Sequence, residues 1–155
     1  MPIVAATTVI RAPRADVYDI SQDYHMRLNW DPFVREIAFL DGAVETAPGV
    51  KVWVKAKNRL TMVAEYISVN KPERVAVRMV EGPWFLANFA GTWVFAAVER
   101  DLTEVRFRYS FALRPRFLRW PGDALVRAVF RADLQARLRG LKRYAEAQAR
   151  ADTRT

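Results

Sequence analysis

Few side chains in this sequence are equipped to do chemistry. There is no cysteine and a single histidine, His25. Thiol catalysis, disulfides, a Ser-His-Asp relay and most transition-metal sites are thereby removed together. What remains is carboxylate, phenol, guanidinium and bound water, and neither a metal nor a cofactor is expected. Glu81 closes the alternating stretch ERVAVRMVEG on the same parity as Val77 and Met79. A carboxyl placed there is either solvated at an opening or desolvated enough to serve as a general acid or base. Tyr66 and Tyr109 are phenols on inward parity, and a buried phenol needs a hydrogen-bond partner, found at a sheet rim or in a bound ligand or water. Glu81, Tyr66 and Tyr109 are therefore the candidate proton carriers. His25, in YHMRLNW, is either a surface histidine or a donor to a ligand carbonyl.

These residues must be held by strands. The run GPWFLANFAGTWVFAAV, Gly82 to Val98, carries no charge, but it is shorter than the roughly 20 apolar residues that span a bilayer, and Pro83, Asn88 and Gly91 interrupt it. Its alternate positions Phe85, Phe89, Trp93 and Phe95 make an aromatic face, as expected of a strand. Period-two alternation also runs through Ile3–Arg11, VREIAFLDG, VKVWVKAKN, LTMVAEYISVN, ERVAVRMVEG and TEVRFRYSFALRP. In the last of these, Val105, Phe107, Tyr109, Phe111 and Leu113 alternate with Glu104, Arg106 and Arg108, so the odd positions face inward. A three-residue loop Arg100–Leu102 pairs Phe95 with Phe107 and Trp93 with Tyr109. A two-residue Lys71–Pro72 turn pairs Tyr66 with Val77 and Ala64 with Met79, and a Lys57–Arg59 loop pairs Val54 with Met62. Lys51, Lys55, Glu65 and Arg78 then point outward.

Helical signals flank the strands. Pro13 suits the first turn of a helix through APRADVYDISQD, and a second short helix covers Tyr24 to Asn29. From Asp123 onward, after a Pro121-Gly122 stop, Val126, Phe130, Leu134, Leu138, Leu141 and Ala145 fall on one arc, with Arg131, Arg139, Lys142, Arg143 and Arg150 opposite. The expected fold class is α+β: a helix grip in which a curved antiparallel sheet of about seven strands holds a long C-terminal helix.

A chain of 155 residues with 52% apolar content fits one folded domain, read here as residues 1–150 with a frayed tail at 151–155. The N-terminal MPIVAATTVIRAPR lacks the basic region and cleavage site of a signal peptide, which points to the cytoplasm. The net charge of +8 comes mainly from arginine and permits contact with nucleic acid or an anionic membrane. Nucleic acid is nonetheless not the expected partner, because solvated outer strands carry the same basic stripes. No transmembrane segment is expected, and nothing in the sequence sets the oligomeric state.

The order of elements, together with IRAPRADVYDISQD and the following LNWDPFV, the GTWVF of the sixth strand of the series, and LRGLKRYAE near the C-terminus, resembles the START-like superfamily, also called SRPBCC. The likeness is strongest to its polyketide cyclase/dehydrase branch and spans almost the whole chain. It implies a cavity between sheet and terminal helix that holds a lipid, sterol, polyketide, quinone or other hydrophobic molecule. VEGPWFLANFAGTWVF further resembles a stretch of the aromatic polyketide aromatase/cyclases, with Glu81, Trp93 and Phe95 at comparable positions. Those enzymes bend a polyketide with polar pocket groups, a part that Arg78 cannot take from an outward position.

Inward aromatics either fill a core or line a cavity. On the second alternative the ligand wall is Trp30, Val54, Met62, Tyr66, Val77, Met79, Phe89, Trp93, Phe95, Phe107 and Tyr109, with Phe130 and Leu134 from the terminal helix. Trp30 in NWDPF either caps the cavity mouth or, as favoured here, anchors the second helix. The expected function is binding or carrying of a hydrophobic small molecule. A polyketide cyclase or dehydratase is the alternative, and a ribosome- or chaperone-associating interaction protein the second. A polar constellation within the cavity favours the enzyme, an apolar cavity the carrier, and a filled core the interaction protein.

Overall fold

The computed structural model describes residues 2–115, 117 and 119–153, apart from the side chains of Arg119 and Trp120. Strand β1 (Ile3–Ile10) is followed by helices α1 (Arg14–Gln22) and α2 (Tyr24–Trp30). Strands β2 (Val34–Phe39), β3 (Lys51–Ala56), β4 (Thr61–Asn70), β5 (Arg74–Glu81), β6 (Leu86–Glu99) and β7 (Leu102–Leu113) come next, and helix α3 (Arg119–Thr153) ends the chain. The seven strands form one antiparallel sheet in the order β1-β7-β6-β5-β4-β3-β2. The sheet curls around α3, giving the helix grip that the alternation predicts. No helix among the described residues is long and apolar enough to cross a membrane.

The two short helices meet at a single residue. Asp23 ends α1 by donating its N–H to Asp19 O, and its carboxylate caps α2 by accepting from His25 N at 2.8 Å. The exposed His25 thus contributes its backbone to the cap. Helix α3 begins at Arg119, four residues before the predicted cap. Pro121 is tolerated there because the first backbone N–H groups of a helix have no intrahelical acceptor to lose. At the other end Ala151–Thr153, expected to fray, remain helical, and Thr153 Oγ1 donates to Ala149 O at 2.7 Å. The remainder of the expected tail lies outside the described residues.

Inward parity survives except at Glu81, although two of the predicted turns are different. The β6–β7 turn contains only Arg100 and Asp101, with Glu99 opposite Leu102, and an irregularity follows between Ala97 and Glu99. Trp93 therefore pairs with Phe107 and Phe95 with Val105, a shift of two residues from the predicted pairs. An even shift leaves every side chain on its own face. The β4–β5 turn contains three residues, with Asn70 paired to Arg74, and a bulge between Tyr66 and Ser68 restores the expected Tyr66–Val77 and Ala64–Met79 pairs. The Val54–Met62 pair forms as predicted. On the outer face, Arg78 Nη2 meets Glu65 Oε1 at 2.8 Å.

The core follows the alternation. Val105, Phe107, Tyr109, Phe111 and Leu113 of β7 are buried, as are Leu134, Leu138, Leu141 and Ala145 of α3. Trp93 stacks on Phe107 with ring centroids 3.6 Å apart, and Phe95 lies parallel to Trp93. Gly140, within LRGLKRYAE, is where α3 crosses α2. A Cβ at this position would overlap the carbonyl oxygen of Trp30. Glycine is required here by close approach, because its neighbour is backbone and cannot rotate away. Gly140→Ala gains about 1 kcal/mol in helix propensity, but displacing the α2 backbone costs roughly 1 to 3 kcal/mol or more. The substitution is therefore expected to lower stability, read as a reduced urea midpoint at unchanged slope.

Candidate functional site

Between the inner face of the sheet and the N-terminal half of α3 lies a cavity of about 340 Å³. Strands β3 to β7 supply most of its wall because their inward positions alternate past one another: Val54, Met62, Ala64, Tyr66, Val77, Phe89, Trp93, Phe107 and Tyr109. Helix α3 closes it with Val126, Val129, Phe130, Asp133 and Arg137. One end opens between Leu60, Leu125 and Val129, all exposed. The opposite, buried end is polar, with Gln22, Tyr24 and Arg27 from the short helices meeting Tyr66, Tyr109 and Arg137.

A single carboxylate organises that polar end. Asp31 follows α2 and accepts from Phe33 N at 3.0 Å. Arg137 Nε reaches both Asp31 oxygens at 3.1 Å, and Nη2 reaches Oδ2 at 2.8 Å. This is the bidentate geometry that makes arginine–carboxylate pairs strong. Arg137 Nη1 donates to the Tyr109 hydroxyl, and the guanidinium lies over the Phe107 and Phe33 rings at 4.8 and 4.9 Å. Arg27 approaches the same carboxylate only at 3.5 Å, while its Nη2 donates to Ser21 O at 2.5 Å. Beside them the hydroxyls of Tyr24 and Tyr66 bond to each other, and Tyr66 is held further by Gln22 Oε1 at 3.5 Å.

Electrostatics follow from burial and pairing. Burial alone raises the Asp31 carboxyl, but Arg137 and then Arg27 outweigh it and hold the group below its ordinary value. Burial would lower Arg137, yet Asp31 and Tyr109 keep it firmly protonated. Burial pushes the Tyr24, Tyr66 and Tyr109 phenols up, so each is a hydrogen-bond donor at neutral pH. Tyr109 accepts from Arg137, which leaves its own proton for a second partner. Burial also raises Asp133, against the opposing pull of Arg137.

The sequence-predicted residues divide into two groups. Val54, Met62, Tyr66, Val77, Phe89, Trp93, Phe107, Tyr109 and Phe130 lie on the cavity wall. Trp30, Met79, Phe95, Leu134 and Glu81 do not. Trp30 is buried, donates its indole N–H to Ile20 O at 3.3 Å and packs edge-on against Trp93, so it anchors α2. Phe95 and Leu134 are fully enclosed core. Met79 packs against the edge of the core and lines a separate pocket with Arg78, Asn88 and Phe89, beyond the point where β5 and β6 stop pairing at Arg78–Ala90. Glu81 is exposed, because a second bulge, this one on β5, sets it opposite Val63 directly after the Ala64–Met79 pair. That extra residue breaks the parity on which its inward placement rested.

Asp31, Arg137, Arg27, Tyr24 and Asp133 escape the sequence reading. Arg137 leaves the clearest trace, standing three residues after Leu134 and four before Leu141, on the helix stripe that must be buried. An arginine there requires a buried acid, and Asp31 meets that need.

Residues 1–146 match the family described as polyketide cyclase / dehydrase and lipid transport. The chain belongs to that family. Among solved structures it is similar to the Zhui aromatase/cyclase from Streptomyces sp. R1128, at 17% identity and TM-score 0.82, covering 97% of each chain. It is also similar to TTHA0849 from Thermus thermophilus, at 22% identity and TM-score 0.79 over 95% of this chain and 99% of that one. Norcoclaurine synthase from Thalictrum flavum superposes at TM-score 0.70 and 11% identity over 96% of each chain. At these identities the superpositions establish the shared fold. No curated protein matches the chain.

The Asp31–Arg137 pair has a measurable consequence. Removing one partner of a buried pair strands the other charge and costs about 3 to 5 kcal/mol, so Asp31→Asn should lower the unfolding free energy by that order. A depressed folded pKa stabilises above the unfolded value and loses that contribution as pH falls through the folded one. The wild type should accordingly lose stability below about pH 4. That acid-side slope should be shallower in Asp31→Asn, as read by urea unfolding at stepped pH.

Proposed function

We propose that this chain binds a hydrophobic small molecule in the cavity between its sheet and α3. The observation that carries this reading is the form of the space itself. About 340 Å³ is enclosed by aliphatic and aromatic side chains, opens at one end and has hydrogen-bonding groups at the other. Small-molecule sites have this composition: apolar walls for affinity and a few convergent polar groups for orientation. Burying roughly 200 Å² of apolar ligand surface is worth about 5 kcal/mol, whereas a single neutral hydrogen bond adds about 1. The walls therefore set how tightly a ligand binds, and the inner end sets which way it points. Family membership supports the same reading, since the family's description joins cyclase or dehydrase activity with lipid transport.

A second reading, cyclisation or dehydration of a poly-β-keto chain, is favoured by Asp133. Its carboxyl lines the cavity, and burial raises its pKa, which suits a group that must hold and release a proton. Asp133 takes the place that the sequence reading gave to Glu81. Tyr109 and Tyr66 would act beside it as donors that hold a carbonyl or enol oxygen, because phenols with raised pKa keep their protons at neutral pH. Similarity to an aromatase/cyclase supports this reading through the shared fold.

Binding is tested with an apolar fluorescent reporter, expected to saturate in the micromolar range. Val77→Trp fills the space from the β5 wall and should weaken the reporter at least about 10-fold, a loss of roughly 1.4 kcal/mol, with the melting temperature retained. A wild type that shows no saturable binding across several apolar ligand classes overturns the reading. For turnover, Asp133→Asn should lower the rate on a β-diketone substrate about 100-fold or more, as expected for a lost general acid or base.

A further inference from the structure

Buried charge at the inner end of the cavity does not balance. Two guanidiniums, Arg27 and Arg137, are almost wholly buried there, at 5% and 7% exposure, and they share the single carboxylate of Asp31. Arg137 takes nearly all of it, with three contacts between 2.8 and 3.1 Å. Arg27 is left with one contact at 3.5 Å, a neutral carbonyl at Ser21, and an Nε with no hydrogen-bond partner. The Tyr24 and Trp30 rings lie 5.5 and 5.3 Å from its guanidinium carbon and supply only weak compensation. Every other polar group facing Arg27 in the cavity, the phenols of Tyr24 and Tyr66 and the amide of Gln22, is uncharged. Asp133 is the one further carboxyl on the wall. It forms no ion pair with either guanidinium, and its burial favours the neutral form.

A buried cation that is only partly paired is costly, and proteins normally complete its pairing or hydrate it. Here the cation borders an apolar cavity deep enough to admit a ligand and lies at the end opposite the opening. We propose that Arg27 is an anion subsite, and that the ligand of this cavity is an apolar molecule bearing one negatively charged oxygen group, a carboxylate or enolate, which enters charged end first. This rests on the reading that the cavity binds a hydrophobic small molecule and adds the chemistry of its polar end. The apolar body lies against Met62, Val77 and Phe89, and its oxyanion completes the partnership that Asp31 leaves unfinished. The neighbouring phenols donate to the same group, which orients it. Neutral lipids and sterols of equal size lack that partner and are disfavoured.

Decanoate and 1-decanol, each displacing the fluorescent reporter at about pH 8, where a carboxylic acid is ionised, form the test. The wild type should favour decanoate by about 10- to 100-fold, the usual difference made by a charged hydrogen bond. Arg27→Met keeps much of the apolar stem and should bring the two affinities together while retaining that for 1-decanol. Equal wild-type affinities overturn the anion subsite and leave hydrophobic binding standing. Failure of both ligands to displace a bound reporter overturns the subsite, and failure of the reporter and other apolar ligands to bind at all overturns the reading of the cavity with it. A preference that survives in Arg27→Met overturns the assignment to Arg27. Should that variant not fold, the Arg27 Nε–H resonance of the wild type serves instead. Expected is a shift on titration with decanoate and none with 1-decanol, and a resonance that decanoate leaves unmoved overturns the proposal.

Discussion

The pair between Asp31 and Arg137 is the constraint on which the arrangement of this molecule turns. It joins the segment after α2 to the middle of α3, and through Tyr109 it ties both to strand β7. Three elements distant in sequence thereby meet at one carboxylate. Apolar contacts alone would let α3 slide or rotate over the aromatic floor, because hydrophobic attraction has no direction. A bidentate ion pair has a direction, and it fixes the helix so that Val126, Phe130 and Asp133 face the same space as Met62 and Val77.

That constraint accounts for an otherwise wasteful interior. Close packing is the ordinary state of a protein core, and voids are costly. Below the pair the rule is obeyed: Leu138, Leu141 and Ala145 of α3 are buried. Above it, the Phe130 ring of α3 reaches across to Phe89 of β6, and the cavity lies beside that contact. The close crossing at Gly140, where α2 backbone meets α3, sets the helix axis from the other side of Arg137. One tight contact and one ion pair thus hold the helix away from half of the sheet.

How much of this was legible depends on the range of the signal. Alternation is local, so all seven strands could be read, with the inward faces of β3 to β7 apart from Glu81, and even a two-residue error in pairing β6 with β7 changed no face. Bulges are not local, since a bulge is a property of a pair of strands and leaves the residue pattern of either almost untouched. Glu81 was misplaced for that reason. Cavity and core could not be separated along a strand either: Trp93 and Phe95 of β6 share one parity, yet only Trp93 reaches the space. What separates them is contact with the rest of the fold: Phe95 is met edge-on by Tyr18 of α1.

The polar end was the least legible part, for a related reason. Each of its members has an ordinary explanation in sequence: Asp31 in a turn, Arg27 on a short surface helix, Arg137 among many arginines of a basic helix. Their meaning lies in an imbalance that appears only when all are placed together. One carboxylate between two buried guanidiniums satisfies Arg137 and leaves Arg27 short of charge. Replacing Arg27 by an apolar residue of similar length would spare the protein a partly paired buried cation without breaking the Asp31–Arg137 pair. A residue that costs stability where a cheaper one would fit is more simply explained by what it meets in the cavity than by what it does for the fold.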